Sequence, residues 1–253
     1  MSNPAEWHNC RVIFRKTSFI DFPGIISAVL FFPGCNLRCP WCHNRELVLG
    51  NYREEDTSSI EEAVVHIEKR QNVIRGVVLS GGEPTLFGDL GLLIKHIKTL
   101  GLKVKIDTNG LLPGVLKRLF DSQESCPDYI AMDLKTVPDR YTELLPGTAT
   151  DGPKADTVQE VKNPGEALIQ SVALIRASGV AHEFRSLELP PPPVRSGSGL
   201  IFPKPYLAEN EKKILLELIG GSTWNINPFV PGNCVDPAWD SLFTGHESYN
   251  IGN

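Results

Sequence analysis

Short apolar segments alternate with helix-like patterns along most of this chain, and that alternation constrains its fold more than any other feature. Six segments read as strands: residues 25–32, 76–80, 103–107, 129–133, 181–187 and 223–227. The first is a near-continuous apolar run, as expected of a strand buried on both faces of a parallel sheet. Amphipathic stretches lie between them. One starts at a cap on Ser58 or Ser59, carries Glu61 and Glu62 in its first turn, and aligns Ile60, Val64 and Ile67. Others place Leu90, Leu93, Ile94 and Ile97 before a stop at Gly101, and Leu116, Leu119 and Phe120 on one face; two more cover 166–178 and 209–219. Strands separated by helices imply a parallel sheet with right-handed crossovers. An open doubly wound sheet and a barrel both satisfy this pattern. Polar motifs follow nearly every strand's C-terminal end, where βα-barrel enzymes place their sites. The expected fold is therefore α/β, an incomplete (β/α)6 TIM-like barrel on a parallel sheet.

The remaining segments fit around that frame. Residues 11–24 alternate weakly and end in a Pro23-Gly24 turn. Residues 136–165, rich in Pro, Gly and Asp, read as a connecting excursion and not as a second domain. Residues 190–207, with four consecutive prolines from Pro190 to Pro193, read as a mobile surface loop, and the tail from Pro228 as irregular. One domain over 1–253 is expected, with its core over about 11–240. A chain of 253 residues, 41% of them hydrophobic, suffices for one core. A net charge of −5 leaves no global basic footprint, so nucleic acid is not an expected partner. Neither a basic-then-apolar leader nor a run of about 18 apolar residues is visible, so no membrane association and a cytoplasmic location are expected.

The first strand runs into Cys35-Asn36-Leu37-Arg38-Cys39-Pro40-Trp41-Cys42-His43-Asn44. Three cysteines spaced C-x3-C-x2-C in one loop are soft ligands for a metal or cluster. A 4Fe–4S cube is usually closed by four cysteines; with three, one iron keeps an open position where a ligand can bind and react. Two alternatives remain open. Cys35, Cys39, Cys42 and His43 form a Cys3His zinc set on paper, although adjacent Cys42 and His43 would both have to reach one tetrahedral ion. Cys39-Pro40-Trp41-Cys42-His43 also matches the C-x-x-C-H haem attachment pattern, which leaves Cys35 unused. Cys10, Cys126 and Cys234 are scattered singly and read as buried free thiols.

Three further polar motifs follow the next strands: Ser80-Gly81-Gly82-Glu83-Pro84, Asp107-Thr108-Asn109-Gly110 and Asp133-Leu134-Lys135. Each alone is most simply a turn or a solvated charge. Paired glycines also let a backbone approach a ligand closely, and Glu83 can accept a hydrogen bond from an ammonium. The set is the stronger signal, because independent turns have no reason to converge on one rim.

This combination resembles the radical S-adenosylmethionine (SAM) superfamily, whose signature is the C-x3-C-x2-C loop with an aromatic residue, here Trp41, before the last cysteine. Within it the chain is most similar to activating enzymes of glycyl-radical enzymes, in particular the subgroup named anaerobic ribonucleoside-triphosphate reductase activating proteins. The residues that carry this are Ser18-Phe19-Ile20-Asp21-Phe22-Pro23-Gly24, the cysteine loop, Asp133-Leu134-Lys135, Glu183-Phe184-Arg185 and Phe229-Val230-Pro231-Gly232-Asn233. The resemblance implies one 4Fe–4S cluster on Cys35, Cys39 and Cys42, with SAM chelating the open iron. One electron would cleave the sulfonium bond to methionine and a 5′-deoxyadenosyl radical, which would remove a Cα hydrogen atom from a glycine of the partner. It implies that Trp41, Cys42 and His43 contact the adenine side of SAM and that Gly81, Gly82 and Glu83 hold its amino group. Asn109, Asp133, Lys135 and Arg185 complete the implied cofactor contacts, Lys135 toward the SAM carboxylate or ribose. Asp107, Thr108 and Asp133 are the implied monovalent-cation site. Implied partners are a glycyl-radical enzyme, anaerobic ribonucleotide reductase first, and a flavodoxin or ferredoxin electron donor.

Two features depart from the pattern. The dense cysteines of the ferredoxin-like segment found in many activases are absent, and the proline-rich stretch near 190–205 replaces a short acidic connection. The alternatives are a radical SAM enzyme acting on a small molecule or another peptide, and a non-catalytic zinc or iron–sulfur protein.

Overall fold

Val29, Leu30 and the residues around them form β2 (Ser27–Phe32), and both faces of this strand are covered. Ala28, Leu30 and Phe32 pack under the helices on one side. Val29 joins Val78 and Phe22 on the other. The computed structural model describes residues 10–146, 161–190, 194–196, 199–201 and 206–243, of which 194–196, 199–201 and 241–243 are described as backbone.

Five further strands run parallel to β2: β4 (Gly76–Gly81), β5 (Lys103–Thr108), β6 (Tyr129–Asp133), β7 (Ala181–Glu188) and β10 (Trp224–Pro228). They lie side by side in chain order. A short helix α1 (Arg45–Leu49) follows β2, and the helices α2 (Ile60–Arg70), α3 (Leu90–Thr99), α4 (Pro113–Phe120), α5 (Pro164–Ala177) and α6 (Glu209–Ile219) cross between the strands. With β1 at Arg11–Ser18 and β3 at Ser58–Ser59, the sheet order β10-β7-β6-β5-β4-β2-β1-β3 is linear, so the barrel is unclosed. Ser59 is the cap of α2. Its hydroxyl accepts from Glu62 N at 3.1 Å while Glu62 Oε2 accepts from Ser59 N at 2.9 Å, a reciprocal arrangement that satisfies two orphan donors.

The expected parallel sheet carries an antiparallel addition at one end. β1 (Arg11–Ser18) pairs antiparallel with β2, and the two-residue β3 (Ser58–Ser59) pairs antiparallel with β1. The connection 19–26 is too short for a crossover, which a parallel neighbour requires. It folds into a turn instead. Ser18 Oγ accepts from Ile20 N and Asp21 N, and Phe22 plugs the face of the sheet away from the helices. Lys105 Nζ donates to the carbonyl of Asp21 at 2.8 Å and ties this plug to β5.

Of the expected mobile loop at 190–207, the described parts include β8 (Val194–Ser196) and β9 (Gly199–Ile201), which pair antiparallel. Residues 191–193, 197–198 and 202–205 lie outside the described residues, as do 147–160 of the expected excursion and 244–253 of the tail. The described tail is not wholly irregular, because Pro237–Phe243 winds into 3-10 turns. Among the described residues no helix is long and apolar enough to cross a membrane.

The end of β4 is spliced to the end of β2. Gly82 N donates to Phe32 O at 2.9 Å and Glu83 N to Gly34 O at 2.9 Å. Gly81 sits at φ +119, and a Cβ on Gly82 would come within 1.9 Å of Gly34 O. Only glycine fits there. Gly82→Ala is expected to lower stability by about 2–3 kcal/mol through forced backbone shifts. Gly88→Ala, where an added Cβ meets nothing within 4 Å, should stay within about 0.5 kcal/mol of wild type. Denaturant midpoints of the two variants check both.

Candidate active site

At the C-terminal ends of β2, β4, β5, β6 and β7 the chain encloses a cavity of about 260 Å³. Cys35, Cys39, Cys42, Trp41 and His43 form one wall, and Gly81, Gly82 and Glu83 the next. Asp107, Thr108 and Asn109 follow at the end of β5, Asp133 and Lys135 at the end of β6, and Arg185 comes from β7. Every residue singled out in the sequence for a site thus meets at one place. They are brought together because consecutive parallel strands present their carboxyl ends on one rim.

The cysteine loop is held from several sides. Gly34 N donates to Leu47 O at 3.0 Å, Arg38 N to Leu144 O at 2.7 Å, and Asn44 Nδ2 to Gly81 O at 2.8 Å. From the tail, Val235 N donates to Cys42 O at 3.0 Å and Asp236 N to Pro40 O at 2.8 Å. Cys234 Sγ lies 3.7 Å from Trp41 O. All six cysteines are free. Cys35 and Cys39 are buried, and burial pushes their thiols up, Cys39 to about 12.

Trp41 is 2% exposed. Its ring packs against Tyr206 (4.5 Å between centroids) and Trp239 (5.3 Å). Packing of the loop is therefore the work of this indole, which also lines the cavity. His43 is exposed, with its ring on Phe229 at 5.6 Å.

Glu83 is 1% exposed and already engaged. Its Oε1 accepts from Thr85 N at 3.1 Å, Thr85 Oγ1 and Thr108 Oγ1 at 2.7 Å, and its Oε2 accepts from Asn109 N at 2.7 Å. Burial raises the Glu83 carboxyl, and these donors oppose the rise. Oε2 keeps one acceptor position for an ammonium. The glycine pair, expected to admit a ligand, is crowded by the backbone of the cysteine loop. Asn109 links the two walls, since its Nδ2 donates to Asn36 Oδ1 at 2.7 Å and lies 3.7 Å from Cys35 Sγ.

Asp107, Thr108 and Asp133, the groups of the implied monovalent-cation site, hold partners within the protein. Asp107 Oδ1 accepts from Lys105 Nζ at 2.6 Å and lies 3.4 Å from Arg185 Nη1. Asp133 accepts from Arg185 Nε at 2.9 Å and Lys135 Nζ at 2.9 Å, while the Thr108 hydroxyl is turned to Glu83. Among the described residues no three His, Cys, Asp or Glu side chains close on a single metal ion.

Sequence reasoning passed over Asn36, Arg38, Asn44, Tyr141 and Tyr206. Tyr141 accepts from Lys135 N at 2.9 Å, and Tyr206 packs on Trp41. Only Asn44 had a local signal, its place directly after the cysteine motif.

A family model described as the radical SAM superfamily matches residues 29–180. The chain belongs to the radical SAM superfamily. It is 35% identical over 174 residues to a protein of Methanocaldococcus jannaschii provisionally named a glycyl-radical enzyme activating enzyme, covering 68% of this chain and 65% of that one. It is 37% identical over 93 residues to the 7-carboxy-7-deazaguanine synthase of Hyperthermus butylicus, covering 36% of this chain and 38% of the synthase. The chain thus spans less than two thirds of either relative. The fold is similar to that of Streptococcus suis SuiB bound to S-adenosylmethionine, with a TM-score of 0.50 at 16% identity over 81% of this chain and 42% of that one.

Radical SAM proteins hold a 4Fe–4S cluster and SAM, and the donor set of this cavity fits both. Its three free thiols stand where burial disfavours their anions, so an iron–sulfur core would supply the positive charge that the thiolates need. Opposite them, the remaining acceptor of Glu83 and the ammonium of Lys135 match the amino and carboxylate ends of a methionine group.

Burial alone would raise the Asp133 carboxyl, but Arg185 and Lys135 overrule it and hold the group at about 2, below its ordinary 3.8. A depressed acid contributes stability that is fully present above its unfolded value and is lost as pH falls through the folded one. The wild type should therefore lose stability between about pH 4 and pH 2 more steeply than Asp133→Asn, as read from denaturation at stepped pH.

Proposed function

We propose that this protein is a radical SAM activase that installs a glycyl radical on a partner enzyme, with anaerobic ribonucleotide reductase as the first candidate partner. The observation that carries the reading is the cavity itself, in which three free thiols, two of them buried, face an anchored carboxylate and a lysine across the rim of an unclosed sheet. The similarity to the provisional activase extends over nearly twice the length of that to the deazaguanine synthase, which favours the activase reading.

When bound, the cluster and SAM supply the one-electron chemistry that removes a hydrogen atom from substrate. Cys35, Cys39 and Cys42 are the proposed ligands. Glu83 and Lys135 orient the two ends of the methionine moiety. The paired charges of Lys105, Asp107, Arg185 and Asp133 keep that wall rigid, which suits a site that must place one hydrogen atom within reach. An unclosed sheet leaves room for a segment of a second polypeptide to approach. A flavodoxin or ferredoxin is the proposed electron donor.

Anaerobic reconstitution should give about four irons per chain and reductant-dependent formation of 5′-deoxyadenosine from SAM. Cys39→Ala should abolish it. Mixing with an anaerobic ribonucleotide reductase should produce a glycyl-radical EPR signal on the reductase. SAM turnover without that signal, but with consumption of a small molecule, would move the assignment to the second relative's class. Bound zinc without SAM turnover would sink it.

A further inference from the structure

Arg38 lies within the cysteine loop and is 6% exposed. Its Nη1 donates to the carbonyls of Cys35 at 2.7 Å and Leu37 at 2.9 Å, and its backbone N–H is anchored on Leu144 O. The other cations of the site each hold a carboxylate: Lys105 has Asp107 at 2.6 Å, Lys135 has Asp133 at 2.9 Å, and Arg185 has Asp133 at 2.9 Å. Among the described residues Arg38 has none. A buried charge without an opposite one is costly and rare. A guanidinium cannot escape that cost by losing its proton.

We propose that Arg38 is the fixed countercharge of the iron–sulfur site: its carboxylate-free guanidinium, packed into the cysteine loop, raises the reduction potential of the cluster on Cys35, Cys39 and Cys42. Three thiolates leave an oxidised 4Fe–4S core with net negative charge, and one-electron reduction deepens it. A permanent positive charge beside the loop favours the more negative state, and cluster potentials follow local charge and hydrogen bonding. Glu83 stands on the facing wall of the cavity, so removing Arg38 leaves the site weighted toward negative charge. Its part is to tune and not to touch the reacting atoms, and the inference rests on the cluster and not on the identity of the partner.

The test is an EPR-monitored redox titration of the full chain, reconstituted without SAM, as wild type, Arg38→Gln and Arg38→Lys. Arg38→Gln keeps a donor for the carbonyls but removes the charge. Its reduction equilibrium constant should fall at least about tenfold, a lowering of about 59 mV for one electron. Arg38→Lys keeps the charge and should stay within about threefold of wild type. A wild-type potential in Arg38→Gln overturns the proposal, as does a fall in Arg38→Lys equal to that in Arg38→Gln. Where Arg38→Gln does not fold or load, Arg38→Lys decides alone: a tenfold fall overturns the proposal, and a near-wild-type potential supports it. A wild type that forms no EPR-active cluster overturns the cluster reading and this inference together. A normal cluster with unchanged potentials overturns this inference only.

Discussion

The splice between Gly82-Glu83 and the carbonyls of Phe32 and Gly34 is the contact on which the site depends. It joins the loop that carries the thiols to the loop that carries Glu83 with two backbone hydrogen bonds, at a separation that leaves no volume for a side chain on Gly82. Glu83 continues the joint to Thr108 and Asn109, and Asn109 returns it to Asn36 and Cys35. The ends of three parallel strands are thereby held to each other through groups that also line the cavity. Polar atoms buried in this way stiffen a site only when each finds a partner. Among the described residues Asn36 Nδ2 is one of two buried side-chain atoms without one.

A second principle orders the wall formed by β5, β6 and β7. Lys105, Asp107, Arg185 and Asp133, drawn from β5, β6 and β7, form a chain of ion pairs of alternating sign, and Lys135 extends the series past the end of β6. The register that sets Asp133 opposite Arg185 makes this possible. Charges placed on the non-helical face of a sheet need such mutual compensation, because that face is only partly open to water. The same compensation gives Asp107 and Asp133 their cationic partners from within the chain.

What was legible in the chain was local. All six parallel strands appear within a few residues of their expected places, because apolar runs such as Val77-Val78-Leu79 leave few other options. The cysteine spacing and the strand-end motifs were equally local, and the topology gathered them without further instruction. β1 was harder to read. It is an edge element with exposed Arg15 and Lys16, and its direction follows from the shortness of the next connection and not from its own pattern. The role of Trp41 was illegible for another reason, since its ring partners Tyr206 and Trp239 belong to distant parts of the chain. The pairing of Arg185 with two aspartates depends on register, which no single motif contains. Arg38 reads in the sequence as an ordinary surface arginine, and only its burial sets it apart.

The tail that covers the cysteine loop bears on how such a protein is made. Cys234 and Trp41 are 193 residues apart, and Val235 and Asp236 bond to the carbonyls of Cys42 and Pro40. On the ribosome the thiol loop is thus among the earlier parts to emerge, and its cover among the later. During that interval the loop has no Trp239 against its indole and no strap over its last ligand. Delivery of an oxygen-sensitive cofactor before the cover arrives would leave it exposed, so the chain order favours loading after the cover has been made.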